Sequence, residues 1–228
     1  KLKFDFAFDD KKLKIYNSYF RNKDLSFNNE SKIILNPFFS TISVIKLEEI
    51  NFKLLKNIKI NKILASKNFI KKLNTKNKIY FKSKKFSNNL IDDFNLDVNL
   101  AYGRLGFSKK ILISENIFTC QGNINLLKEY PILYFNCLIV TKDKKKFLKE
   151  FSIKYKNKNE LLKINTEGNI NILNNKINFK KILMNKDYIA TKEDLNYFKQ
   201  SFENILLDKG FVDIFNFKKI KDFILEVS

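Results

Sequence analysis

The chain has 228 residues, 44 of them basic and 24 acidic, for a formal net charge of +20, and this length is ample for a real core in one domain or two. It has no histidine and five glycines, and contains neither a GxxxxGK[ST] nor a GxGxxG run. Histidine triads, histidine metal sites and phosphate-cradling loops are therefore missing, which argues against an ordinary hydrolase, kinase or dehydrogenase.

The first eight residues alternate, with Leu2, Phe4, Phe6 and Phe8 on one side and Lys3, Asp5 and Ala7 on the other, the period of a strand. Asp9-Asp10-Lys11-Lys12 reads as a turn into a second strand over Leu13 to Tyr19. Polar breaks at Arg21 to Asp24 and at Asn28 to Ser31 frame further short strands, and Pro37 ends the one holding Ile33, Ile34 and Leu35. Residues 41–55 read as a longer strand, followed by a short helix near 61–73 with Ile63, Leu64, Ile70 and Leu73 on its apolar side. The strand pattern resumes at Ile79-Tyr80-Phe81. Phe94, Leu96, Val98, Leu100 and Tyr102 then alternate with polar residues, and Gly103 and Gly106 mark the turn before Ile111, Leu112 and Ile113.

A hairpin is predicted next. Phe118, Cys120, Gly122, Ile124 and Leu126 share one face, and after Lys128-Glu129-Tyr130-Pro131 so do Leu133, Phe135, Cys137 and Ile139. A short helix over 143–151 carries Phe147, Leu148 and Phe151. Gly122-Asn123-Ile124-Asn125-Leu126 recurs as Gly168-Asn169-Ile170-Asn171-Ile172, a spacing within the roughly 20–50 residues of structural repeats. Leu162, Ile164, Gly168, Ile170 and Ile172 form the second copy's apolar row, and Asn174-Asn175-Lys176 turns the chain back. Thr191 is a natural N-cap, followed by Glu193 and Asp194 in the first helical turn. Gly210 suits the C-prime position, and a last helix runs over 217–227. The pattern predicts a β-rich α+β fold: a mainly antiparallel, elongated, curved sheet over 1–190 with short intervening helices, and a helical cap over 191–228.

The positive charge is almost all lysine, Arg21 and Arg104 being the only arginines. Base-reading proteins favour arginine forks, so specific nucleic-acid binding is not expected, whereas anionic headgroups remain natural partners for such a surface. Lysine, asparagine, isoleucine and phenylalanine crowd the whole chain, the mark of an AT-rich coding bias. No apolar run approaches the ~20 residues of a membrane span. The opening at Lys1, already inside a strand pattern, reads as a fragment of a longer protein. Neighbouring carboxylates such as Asp92-Asp93 fall on opposite sides of a strand or cap a helix, so no catalytic residue, metal or cofactor is assigned. Cys120 and Cys137 lie on the two hairpin strands, facing the same way; a disulfide and a pair of small buried thiols both fit. Twenty-four phenylalanines and no tryptophan give a purely apolar face, which lines either a core or a lipid groove.

The segments Cys120-Gln121-Gly122-Asn123-Ile124-Asn125-Leu126 and Glu167-Gly168-Asn169-Ile170-Asn171-Ile172, with the ending from Thr191 through Phe198 to Gly210-Phe211, resemble the AsmA-like family of bacterial envelope proteins in its alphaproteobacterial form. The resemblance is best from about residue 95 onward. It implies a periplasmic, β-rich body tethered to the inner membrane by a segment outside this sequence. It also implies a non-enzymatic role in phospholipid transport between membranes or in outer-membrane assembly. The candidate lipid-lining residues are Phe94, Leu96, Val98, Leu100, Phe118, Ile124, Leu126, Leu133, Phe135, Ile164, Ile170 and Ile172, with phospholipid acyl chains and the rest of the parent chain as partners. The alternative is a structural or protein-interaction module whose apolar face is ordinary core, and after it a basic nucleic-acid-binding domain.

Overall fold

A computed structural model describes residues 1–83, 91–154, 161–185 and 188–227. Alternating sequence becomes strand throughout, and the strands form one long, open, curved sheet in unbroken chain order. They are β1 (Leu2–Asp9), β2 (Lys12–Arg21), β3 (Leu25–Ile34), β4 (Ser40–Ile50), β5 (Asn74–Lys82), β6 (Asp93–Ala101), β7 (Arg104–Ile113), β8 (Asn116–Asn125), β9 (Ile132–Thr141), β10 (Leu162–Asn171), β11 (Lys176–Met184) and β12 (Tyr188–Ile189). Every pair is antiparallel except β4 with β5. A parallel pair cannot be closed by a tight turn. Here the crossover carries a 3₁₀ turn (Phe52–Asn57) and two short helices, α1 (Ile60–Ala65) and α2 (Lys67–Ile70). Helix α3 (Lys144–Glu150) lies between β9 and β10, and α4 (Lys192–Leu206), a 3₁₀ turn (Phe211–Phe215) and α5 (Phe217–Val227) follow the sheet.

Five expectations are corrected in detail. Asn28 to Ser31 do not break a strand but run inside β3, because their polar groups find partners across the sheet: Asn28 Nδ2 donates to Glu48, Asn29 O accepts from the Ser18 hydroxyl, and the Ser31 hydroxyl lies 2.9 Å from that of Ser43. The strand expected over 41–55 ends at Ile50, where Asn51 N–H donates to Asp24 O and the chain tightens into the 3₁₀ turn. The helix expected over 61–73 is divided at Ser66. Gly106 is not in a turn but inside β7, the reversal being made by Tyr102 and Gly103, both at positive φ. Gly210, likewise, stands beyond the end of α4 and opens the second 3₁₀ turn.

Helix α4 is fixed over the sheet at two places. At its start, the Thr191 hydroxyl accepts from Asp194 N–H and Asp194 accepts from Thr191 N–H, a complete capping box. Tyr188 O–H also donates to Asp194, and this bond, with the two from Thr191, holds the carboxyl below its usual pKa. Further along, the Glu203 carboxylate accepts from Ile177 N–H at 3.0 Å and from Lys176 at 2.8 Å, tying α4 to the first residues of β11.

Candidate functional site

The register sorts the sheet into two faces. One face is largely apolar over β6 to β11, and one of its cross-strand rows stays apolar from β1 to β10. One row runs Leu2, Phe20, Phe27, Leu47, Phe81, Phe94, Ile111, Phe118, Ile139, Ile164. Another runs Leu100, Leu105, Ile124, Leu133, Ile170, Ile177. Between them, Val98, Phe107, Gly122, Phe135, Gly168 and Phe179 alternate ring with glycine, and Leu96 and Cys120–Cys137 belong to a fourth row. The structure thus brings all the predicted lining residues together on one side, with Leu126 and Ile172 just past the strand ends.

Over the middle and C-terminal strands this face is covered. Ile124, Leu126, Ile170, Ile172 and Ile177 pack with Leu64 and Ile70 of α1 and α2 and with Leu207, next to Leu100, Leu133 and Phe135. Phe94 and Phe118 pack around Phe81 and Ile113 with Phe217 of α5, and Phe118 also meets Phe147 of α3 at a ring separation of 5.4 Å. Edge-on rings link sheet to helices, Phe135 to Phe179, Phe179 to Phe202 and Phe202 to Phe223. Among the predicted lining residues, only Leu96, Val98 and Ile164 are half-buried outside these clusters.

Cys120 and Cys137 are directly opposed, their Cα atoms 4.0 Å apart, and are joined by a disulfide. That decides between the bridge and the free thiols. Closing a loop of this size is worth about 3 kcal/mol in the chain-entropy account.

The apolar face does not stop where the helices stop. On β1, Leu2, Phe4, Phe6 and Phe8 lie on the same side and are 48–65% exposed, and Leu2 ends the unbroken row. Phe6 opposite Ile15 is separated from β6 by Ser31, Ser43 and Asn77, Phe8 opposite Leu13 by Thr41 and Thr75, and Phe4 lies beside Phe6. The uncovered end of the face is therefore its N-terminal strands.

The chain matches no protein-family model, no curated protein and no solved structure.

Sequence reasoning missed one residue of this face. Lys109 sits between Leu96 and Cys120 in the fourth row, flanked on β7 by Phe107 and Ile111. It is half-buried, makes no hydrogen bond or ion pair with a described residue, and burial lowers its amine pKa. The signal was there, since the alternation Phe107, Lys109, Ile111 points it inward. A lysine whose folded pKa lies below its unfolded value penalises folding at neutral pH, and the penalty fades as pH rises from the folded pKa toward 10.5. Lys109→Met is expected to stabilise the protein by roughly 1 kcal/mol at pH 7, with the gain shrinking in alkaline denaturation curves. Elsewhere among the described residues, no cluster of potential ligands is fit for a metal ion and no helix is long and apolar enough to cross a membrane.

Proposed function

We propose that this chain shields acyl chains of anionic phospholipid on the open N-terminal end of its apolar sheet face, without covalent chemistry. The observation that carries the reading is β1, four large apolar side chains in a row and exposed, joined through the row from Leu2 to Phe81 to the part of the face that helices cover. Burying one such side chain is worth about 1.5–3 kcal/mol, so a chain lying along β1 to β3 gains enough to hold a lipid. Lysines at the turns beside this end, Lys11, Lys12 and Lys23, within a chain of net charge +20, favour anionic headgroups. The role we assign is that of an AsmA-like envelope protein in phospholipid transport or outer-membrane assembly, in the periplasm. The Cys120–Cys137 disulfide supports an oxidising compartment. The covered part of the face serves as core and braces the open part.

Phosphatidylglycerol vesicles, incubated with the protein and removed, test the reading by native mass spectrometry of what the protein retains. Lipid is expected to stay bound in high salt. The double variant Phe6→Asp/Phe8→Asp should lose at least tenfold of it while its thermal midpoint holds, both residues being exposed. Undiminished retention in that variant sinks the proposal.

A further inference from the structure

The strands end at one or the other of two rims of the sheet, and the rims differ in chemistry. One collects, side by side, the β1–β2 turn at 10–11, the β3–β4 loop at 35–39, residues 71–73 before β5 and the β6–β7 turn at 102–103. Backbone contacts hold these segments in line. Leu35 N–H donates to Lys11 O, Tyr102 N–H donates to Leu73 O, and Thr41 of β4 is paired with Thr75 of β5.

The tips on this rim are apolar where turns are ordinarily polar. Residues 35–39 are all exposed, and Phe38, at 72%, is the most exposed large apolar side chain among the described residues. Phe39 and, two turns along, Tyr102 are exposed as well. Beside them lie the exposed cations Lys11, Lys12, Lys71, Lys72 and Arg104, with Asp9 and Asp10 the only acids in or next to these turns. None of the five cations is in an ion pair with a described residue. The opposite rim reverses both features. Its tight turns at 22–24 and 114–115 are polar, and cations there find acids, Arg21 with Glu49 at 3.6 Å and Lys146 with Glu115 at 3.1 Å.

We propose that the first rim docks on an anionic phospholipid bilayer. Phe38 and Phe39 enter the boundary between headgroups and acyl chains, and the cations beside them meet lipid phosphates. Exposed aromatic tips flanked by unpaired cations match a medium that is apolar inside and negative at its surface. Hairpin tips project from the sheet, and a bilayer closes around projections, whereas a protein partner would have to supply matched hollows. This docking goes beyond the lipid shielding proposed for β1 and does not depend on it. The two meet at Phe8, the last of the exposed row, which lies next to the turn at 10–11.

The chain has no tryptophan, so Phe38→Trp carries a lone reporter. Its fluorescence is expected to shift to the blue with phosphatidylglycerol vesicles, and that of Lys23→Trp, on the opposite rim, to stay fixed. In cosedimentation the unaltered chain should favour phosphatidylglycerol over phosphatidylcholine vesicles by at least about tenfold. Phe38→Ser/Phe39→Ser should keep its thermal midpoint, both residues being exposed, yet bind at least about tenfold more weakly. Phe4→Ser/Phe6→Ser, which alters only the β1 face, should dock undiminished, so the two readings fail separately. Equal binding to both vesicles, no shift in Phe38→Trp, full binding by the loop variant, or docking lost in the β1 variant would each overturn the inference.

Discussion

Alanine at Gly168 is expected to destabilise the protein by about 3 kcal/mol, at the upper end of what overpacking a tight core costs. Alanine at Gly122 should do nearly the same. A Cβ at Gly168 would run into Asn178 O and come within 2.9 Å of Phe135 Cζ, and one at Gly122 would lie 2.5 Å from Tyr134 O and 2.7 Å from Phe107 Cε1. The carbonyl contacts decide the size of the effect, because a ring can turn aside but a neighbouring strand cannot. Each glycine thus lets a ring from the next strand lie over bare backbone, and Phe135 stands between the two. Urea denaturation of Gly168→Ala, with Gly106→Ala as the matched control, measures this directly. The control should be neutral or slightly stabilised, since alanine restricts the unfolded chain and its Cβ meets no clash. Equal stability of the two variants would mean that the ring-over-glycine row does not hold the sheet in register.

That row also explains what the recurrence in the sequence meant. Gly122 through Leu126 and Gly168 through Ile172 occupy matching places on β8 and β10, the two neighbours of β9, with Phe135 between the glycines and Leu133 between Ile124 and Ile170. The echo is therefore a packing device used twice rather than a repeating domain. Strand positions and the inward face were legible because a two-residue period leaves little choice, as in Phe94 to Leu100. The paired cysteines were legible to the level of a choice, and register settled it. Less legible was whether a polar residue ends a strand. Asn28 to Ser31 look like a break because side-chain polarity is local, while the partners that satisfy them are on β2 and β4.

For the candidate site, the sequence identified the right face but not the part of it that is open. Phe118 and Ile170 carry the same alternation as Phe6 and Phe8, and only the helices laid over them, α1, α2 and α3 together with α4 and α5, separate core from surface. Periodicity encodes which way a side chain points; it does not encode what comes to lie above it.

Phe202→Ala is expected to cost about 3 kcal/mol, the low end of the range for removing a buried ring because Phe202 is only partly buried, and to loosen the cover before it loosens the sheet. Phe202 is the middle of a chain of edge-on aromatic contacts, 5.7 Å from Phe179 on β11 and 5.4 Å from Phe223 on α5, each worth about 0.5–1.5 kcal/mol beyond its buried area. Without it, α4 keeps its capping box and the Glu203 contacts to β11, but α5 loses its aromatic link to β11 and is left with Phe217 at the Phe81 and Ile113 cluster. Hydrogen exchange should therefore show amides of α5, and then of α4, losing protection well ahead of β8 to β11. Uniform loss across helices and strands would instead make the cover an inseparable part of one cooperative core. The same variant bears on how lipid is held. If the helices are what limits the open face to β1 to β3, loosening them uncovers Leu133, Ile170 and Ile177, and phosphatidylglycerol retention should rise above that of the unaltered protein. Unchanged retention would confine the lipid surface to the strands that the helices never reach.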